Sequence, residues 1–520
     1  MENSGIARSA FSMSVVTFLS RVLGLMREWL RGFLLGTTGS SDAFSLAFLF
    51  PNLLRRLVGE GALMAAFVPV ISEYLVGEDE EALDDFMYSF FTLFLIILLG
   101  IVAIALLGAP LLRYFLPEFT KIPGKIELTI SLTRLMFPYI LFISLAAFSQ
   151  SILNAHKVFI PSATTPILLN ISIIILGFLL SKRMRDPGYA LGIGVITGGC
   201  LQFFFQWPFL IKRGVVYRLR FHFKNPGVSK VLMLMLPAAV GAGVYQINAL
   251  ISEFIAAFLE EGSIAALRFS NTLMELVLGV FIISIATVIL PVLSEKSAKG
   301  DLEGMRQNLA FALRLTFLIT LPATFGLMIL RYPLVTMLFR YGRFTHSSVD
   351  MVSGALLFHA AGIVGIGGTR VVVQMFYSMK DTKTPVYVAG GIMVINVVLC
   401  YFLSKPLRLG GIALAGTISS FCNFLSLLFL LRLRVGPVIS REVIISFLKS
   451  FTAACVMSAF LIYMLQSLGG IMKQSRVQNA AFTLMMIIIG LGVFFFINIL
   501  LKNRDVVEFK KIVMRKLKRL

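Results

Sequence analysis

The residues with the plainest chemical purpose are arginines set inside apolar runs. Arg21, Arg27 and Arg31 recur within the first run, and Asp42, Arg55, Arg56 and Glu60 occupy the second. Arg134, Arg268, Glu275, Arg314 and Arg370 follow in later runs. A charge at bilayer depth costs roughly 2.5–3.5 kcal/mol on insertion scales, so such groups are expected to face water, pair, or reach an interface. Deep bases outnumber deep acids, which predicts a hollow that accepts an anion. The planar guanidinium fork bonds two oxygens at once, so a phosphorylated passenger fits that hollow. Arg21, Arg268 and Arg370 lie deepest and are expected to line it. Arg27 and Arg31 sit one turn apart near a span end, where reaching the interface is the competing reading. Arg56 is spaced to pair with Glu60, four residues on. Arg314 reads as a topological anchor at the cytoplasmic end of its run.

The inventory for catalysis is thin. No GxxxxGK[ST] phosphate loop and no HExxH motif occur, and His156, His222, His346 and His359 are scattered. The four cysteines (Cys200, Cys400, Cys422 and Cys455) lie in apolar runs without a CxxC pair, so neither disulfide framework nor zinc site is expected. His359 lies within a span, where core packing is the stronger reading than proton relay. The chain is therefore expected to be a transporter rather than an enzyme, with no cofactor and no metal.

The elements that must position these arginines follow from composition. The chain has 520 residues, of which 58% are hydrophobic and 14% charged; its mean hydropathy is +0.89. Soluble domains run nearer 45–50% apolar and about 25% charged. The excess apolar surface needs a bilayer as solvent. The net charge of +21 would suggest nucleic acid in a soluble chain. Here much of it is interleaved with apolar runs, so no nucleic-acid partner is expected. The opening MENSGIARSAF lacks a compact basic region and an A-x-A site, so no cleavable leader is expected.

About fourteen runs are long enough for helical spans. The second (42–75), tenth (347–378) and thirteenth (442–466) are long or interrupted by glycine and charge. Pro51, Pro110, Pro138, Pro322 and Gly24 are places where a helix has reason to bend. With fourteen spans both termini share a side, and that side carries 24 loop and tail bases against 12 on the other. Both ends are therefore expected in the cytoplasm. The tail from Lys502 interleaves bases with Val506, Phe509, Ile512 and Leu517; it reads as an amphipathic helix on anionic lipid or as a solvated anchor. Tyr217–Lys224 carries the same two readings.

An internal duplication organises the spans. Phe67-Val68-Pro69-Val70-Ile71-Ser72-Glu73 resembles Ile289-Leu290-Pro291-Val292-Leu293-Ser294-Glu295 at an offset of 222. Pro110-Leu111 with Phe119-Thr120 resembles Pro333-Leu334 with Phe344-Thr345, and Pro161 with Asn170 resembles Pro385 with Asn396. Each copy holds six spans, an even number, so both copies point the same way through the membrane. That is the parallel repeat of transporters that work by alternating access. The expected division is 1–225 (spans 1–6), 226–435 (spans 7–12), 436–501 (spans 13–14) and a basic tail, 502–520.

Several stretches resemble one family. Ser20-Arg21-Val22-Leu23-Gly24-Leu25-Met26-Arg27-Glu28, Ser41-Asp42-Ala43-Phe44, Pro51-Asn52-Leu53-Leu54-Arg55-Arg56-Leu57, Glu60-Gly61-Ala62 and Phe67-Val68-Pro69 are similar to the opening of the MurJ (MviN) lipid II flippases. Phe137-Pro138-Tyr139, Leu169-Asn170-Ile171-Ser172 and Tyr341-Gly342-Arg343-Phe344-Thr345 fit the same family. The resemblance implies the fold of the multidrug/oligosaccharidyl-lipid/polysaccharide exporters: all-α, two six-helix lobes about a cationic cavity, with two extra helices forming a groove for a lipid tail. The implied substrate is undecaprenyl-pyrophosphate-linked disaccharide pentapeptide, moved from the inner to the outer leaflet of a bacterial inner membrane for peptidoglycan synthesis. Carried over by position, Arg21, Arg27, Asp42, Arg55 and Arg56 match the family's functional residues, with Glu60 beside them and Arg370 in the tenth span. Thr272 stands where the family has a cavity arginine, and Arg268 lies one turn earlier, about 6 Å along the helix.

Gln246, Asn248, Asn396 and Thr417 are candidates for a monovalent-cation site, against a helix-packing reading. Membrane lipids are expected partners, and the peptidoglycan-synthesis machinery is a further one. The alternatives are a flippase for another polyprenyl-linked oligosaccharide of the O-antigen type, and a drug or cation antiporter of the same fold. An antiporter would need a cavity rich in carboxylates. A membrane glycosyltransferase would need acidic residues in a large outer loop, and no loop here is long enough.

Overall fold

The computed structural model describes residues 2–55, 63–77, 79–158, 160–468, 476–506 and 508. Among them there are helices and turns but no strand. The chain begins with α1 (Glu2–Leu35), α2 (Gly39–Leu54), α3 (Leu63–Val76) and α4 (Glu80–Gly108). It continues with α5 (Leu112–Phe115), α6 (Pro117–Thr120), α7 (Lys125–Met136), α8 (Tyr139–Ala155), α9 (Ile160–Leu180), α10 (Pro187–Phe204) and α11 (Trp207–Ile211). After an extended stretch come α12 (Pro226–Ala256), α13 (Ser263–Val277), α14 (Ile283–Ala298), α15 (Leu302–Ile329) and α16 (Arg331–Phe339). The last are α17 (His346–Ala361), α18 (Ile363–Ser378), α19 (Lys383–Val435), α20 (Arg441–Leu468) and α21 (Arg476–Leu500).

Helix starts follow from short polar side chains beside the apolar runs. Asp79 opens α4 by accepting from the Ala82 N–H (2.9 Å), and Asp186 caps α10 at the Gly188 N–H (2.7 Å), with Pro187 in the first turn. Asn225 and Pro226 do the same for α12, Asp301 for α15, and Thr345 forms a capping box with Ser348 at α17. Such caps satisfy N–H groups that have no partner within the helix. Pro110 ends α4 in a 3-10 turn and Pro138 separates α7 from α8. Pro51 and Pro322 lie inside continuous helices, as does Gly24.

The fold class is the expected one, a multi-pass all-helical membrane architecture. Eight helical stretches among the described residues are long and apolar enough to cross a bilayer, or nine if α17 and α18, bent by 42°, form one broken span. The figure of fourteen is not confirmed on that measure. α1 carries Arg21, Arg27, Glu28 and Arg31, and α2 and α3 have only 16 and 14 residues. α19 runs for 53 residues, joining two expected spans across a break at Arg408 (φ 47°, ψ −125°).

The chain divides into two compact units. The first is Met1–Ala265 with Tyr341–Phe344; the second is Ala266–Arg340 with Thr345–Leu520. α12, which the repeat assigns to the second lobe, groups with the first unit, where it packs on α3. The first unit's core is strongly aromatic: Phe67 and Phe148 meet at 4.9 Å between centroids, and Phe91 stacks on Tyr217 at 4.6 Å. In the second, Phe317 meets Phe447 edge-on at 5.1 Å above a floor of buried leucines. Outer faces remain apolar and uncovered, with Ile104 and Leu107 on α4 at 74% and 81% exposure. A bilayer is the solvent that such surfaces require.

The duplication is visible in local geometry. Asp79 and Asp301, 222 residues apart, cap equivalent helices through N–H groups three residues on. Lys157 and Lys380 both adopt φ of 61° in the turns that follow α8 and α18. In each turn that lysine's N–H returns to a carbonyl three residues back at 2.9 Å.

Candidate functional site

Within the first unit, α1, α2, α8, α9 and α10 enclose a cavity of about 160 Å³. Arg27 and Arg55 supply its charge; Gln150, Thr165, Asn170 and Gln202 supply neutral polar groups. Ile143, Ala146, Ala147 and Leu169 make the remaining wall apolar. Arg27 is fixed from two sides. Its Nε and Nη2 donate to Glu28 Oε1 at 3.3 and 2.9 Å, and its Nη1 donates to Asn170 Oδ1 at 3.1 Å. Asn170 is itself tied to α1 through the Ser20 carbonyl (3.1 Å). Three of the five guanidinium N–H bonds are thus used, which leaves one on each terminal nitrogen for an anion.

Arg31 is buried, and its Nη2 meets the other Glu28 oxygen at 3.0 Å. One carboxylate therefore serves two guanidinium groups, and a net positive charge remains. Arg31 pairs rather than reaching an interface. Arg55 closes α2 with Nε and Nη2 on Asn52 Oδ1 at 3.2 and 3.1 Å. Arg21 is half-buried on α1 and makes no ion pair among the described residues. Arg56 and Glu60, with their expected pairing, lie outside the described residues.

Asp42 occupies a different place in the same unit. It is 1% exposed and receives Lys125 Nζ at 2.9 Å, the Gly262 N–H at 2.7 Å and the Ala265 N–H at 3.1 Å. The carboxylate so closes the first turn of α13, where backbone N–H groups favour negative charge. Glu261 accepts from the Gly39 N–H beside it. Gly262 adopts φ +89°, and a Cβ there would collide with the Thr37 carbonyl. Gly342 (φ +57°) packs against the Phe33 carbonyl in the same way, and the Arg343 N–H donates to that carbonyl at 3.0 Å.

In the second unit, Arg370 on α18 pairs with Glu275 on α13 at 2.9 Å. Arg268 is half-buried one turn before Thr272, whose hydroxyl donates to the Arg268 carbonyl (2.9 Å). His359 Nδ1 meets Ser270 Oγ at 2.8 Å, joining α17 to α13. Arg314 is more than an anchor: it meets Glu442 at 3.3 Å, Asp505 at 3.4 Å and Glu508 at 3.9 Å. Of the candidate cation ligands, Gln246 and Asn248 are half-buried on α12 of the first unit. In the second, Thr417 donates to the Phe358 carbonyl (2.6 Å) and Asn396 accepts from Ser419 (3.1 Å).

Tyr217–Lys224 does not lie free. Tyr217 is half-buried and stacked on Phe91, with its hydroxyl 2.5 Å from Ser149, and the loss of solvent pushes its pKa up. Arg220 and His222 meet Asp85 at 2.6 and 2.8 Å. Most of the basic tail, 507 and 509–520, lies outside the described residues.

The family profile described as "Lipid II flippase MurJ" matches residues 33–496. The chain belongs to the MurJ family. A probable lipid II flippase MurJ of Vibrio cholerae serotype O1 is 36% identical over 504 residues, covering 95% of this chain and 96% of that one. A lipid II flippase MurJ of Burkholderia cenocepacia is 33% identical, covering 82% and 84%. Among solved structures, a lipid II flippase MurJ in an inward closed conformation superposes with a TM-score of 0.82 at 28% identity, covering 95% and 99%. An inward-facing multidrug resistance MATE family transporter shares the fold alone, at a TM-score of 0.68 and 15% identity.

For this MurJ-family chain, sequence reasoning passed over Glu28, Lys125, Gln150 and Gln202. Glu28 was within reach, since its spacing from Arg27 and Arg31 already puts it beside both. The other three carried no local signal.

Proposed function

We propose that this chain is a lipid II flippase that carries the undecaprenyl-pyrophosphate-linked peptidoglycan precursor from the inner to the outer leaflet by alternating access. Its setting is the bacterial inner membrane, with both termini in the cytoplasm. The carrying observation is the cavity of the first unit, whose charged lining residues are Arg27 and Arg55, in a chain of this family. A pyrophosphate brings acceptors only, and Arg27 and Arg55 bring donors that cannot deprotonate. Arg21 joins them as a ligand, with Arg56 and Glu60 in the adjoining segment. Arg268 and Arg370 are further candidates for anion contact. Asp42 acts by fixing the first turn of α13.

The polyprenyl tail stays in lipid along α20 and α21, because exposing it to water would cost about 0.8 kcal/mol per CH₂. With the cell interior negative, each negative charge moved outward releases roughly 2.3 kcal/mol per 100 mV. Membrane potential is thus a sufficient drive, and a monovalent cation resets the carrier, with Gln246 and Asn248 as candidate ligands in the first unit and Asn396 and Thr417 as candidates in the second. Association with peptidoglycan-synthesis enzymes belongs to the same proposal. Two bases and no carboxylate among the cavity's lining residues disfavour a cation antiporter, and the family disfavours an O-antigen flippase.

The test is complementation of a strain lacking its flippase. Arg21→Ala, Arg27→Ala and Arg55→Ala should abolish growth support while membrane levels stay normal. Loss of the protein itself, or full growth, would contradict the assignment of these side chains.

A further inference from the structure

The cavity holds more hydrogen-bonding chemistry than a pyrophosphate can use. Gln150 on α8 is half-buried on its wall and makes no hydrogen bond to any described residue. Gln202 on α10 is 3% exposed; its Nε2 donates to the Thr165 carbonyl at 2.8 Å, which leaves its Oε1 buried and without a partner among the described residues. Because the Thr165 carbonyl can only accept, the orientation of this amide is set. A buried amide oxygen left unpaired costs about 1–3 kcal/mol, so a donor that a bound molecule brings within its reach is favoured. Phosphate oxygens are acceptors and cannot supply one.

The ligand that satisfies the whole wall carries an anion next to O–H or N–H donors. It also presents an apolar face to Ala146, Ala147 and Leu169. A volume of about 160 Å³ is many times the roughly 10–15 Å³ that a single water needs. A sugar ring therefore fits beside the phosphates. We propose that Gln150 and Gln202, on the wall of one cavity, form a subsite for the N-acylated sugar that directly bears the pyrophosphate. Its hydroxyl and amide donors meet the two amide oxygens while Arg27 and Arg55 hold the phosphates. The subsite distinguishes the glycosylated carrier lipid from the bare polyprenyl pyrophosphate, which shares the same anion. This rests on the flippase reading above and names which part of the headgroup its cavity reads.

The test compares binding of two lipids to the purified full-length protein: undecaprenyl pyrophosphate, and the same lipid bearing one N-acylated muramyl sugar. The unsubstituted protein should prefer the glycosylated lipid. Gln150→Leu, which loses no hydrogen bond to a described residue, should cut that preference about five- to tenfold, the size of one or two hydrogen bonds. Its affinity for the bare lipid should stay unchanged. Gln202→Met, which keeps volume, should act in the same direction, whereas Arg27→Ala should weaken both lipids together. An unaltered preference in Gln150→Leu, or equal loss for both lipids, overturns the subsite while the flippase reading stands. Failure of the unsubstituted protein to bind either lipid contradicts that reading and the subsite with it.

Discussion

Asp42 and Lys125 form an ion pair of 2.9 Å with side chains only 2% and 4% exposed. Removing one partner of such a pair leaves a buried charge uncompensated and typically costs about 3–5 kcal/mol. The two sides are not equivalent, because Asp42 also accepts from Gly262 and Ala265. Asp42→Ala should therefore lower the thermal midpoint of the purified protein more than Lys125→Met does. The double variant should lose less than the two single losses combined. Strict additivity would show that the pair is not coupled.

Gly262 and Gly300 both have positive φ, at +89° and +69°, yet only Gly262 is crowded. A Cβ at Gly300 meets nothing within 4 Å. Gly300→Ala should cost about 1–2 kcal/mol from backbone conformation alone. Gly262→Ala adds collision with the Thr37 carbonyl and should lower folded yield well beyond that. Thermal unfolding and membrane abundance of the two variants, side by side, check the ranking.

Asp381 lies in the turn between α18 and α19. Burial would raise its pKa, but hydrogen bonds from Thr384 and the Arg434 guanidinium outweigh it and bring the carboxyl to about 2. A folded pKa below the ordinary 3.8 means that the carboxylate stabilises the fold fully above about pH 4 and loses that contribution as the pH falls toward 2. Asp381→Asn should be less stable than the parent at neutral pH, and the gap should close under acid. A gap that stays constant between pH 6 and pH 2 would show that this carboxylate carries no such linkage.

Arg27 is gripped along one edge by Glu28 and at one terminal nitrogen by Asn170. A lysine keeps the charge but not the fork. Arg27→Lys should lose about 10- to 100-fold in affinity for polyprenyl pyrophosphate, the worth of roughly 1.5–3 kcal/mol for bonds to a charged group. Asn170→Leu should weaken binding in the same direction with Arg27 intact. Wild-type affinity in Arg27→Lys would mean that charge alone suffices there.

Features carried by local spacing were legible in the sequence. The 222-residue repeat reappears in the caps of Asp79 and Asp301, and Arg27 and Arg55 line one cavity, whereas Arg21, Arg268 and Arg370, expected to lie deepest, are not among its lining residues. What was hidden depends on partners far along the chain. Lys125 and Gly262 lie 83 and 220 residues from Asp42, and Arg314 finds its carboxylates at 442, 505 and 508. Glutamines such as Gln150 and Gln202 are ordinary in a helix until neighbouring helices turn them onto one hollow. The span count was obscured by charge in α1 and by the break at Arg408 that α19 runs through.

Movement of the precursor between leaflets is what a flippase must produce. Depleting this protein in cells with no second flippase, and labelling the outer-leaflet lipid II selectively, measures that movement directly. Outer-leaflet lipid II should fall while the inner pool rises, and re-expression of the Arg27→Ala, Arg55→Ala double variant should not restore it. Delivery at the normal rate in depleted cells would contradict the account.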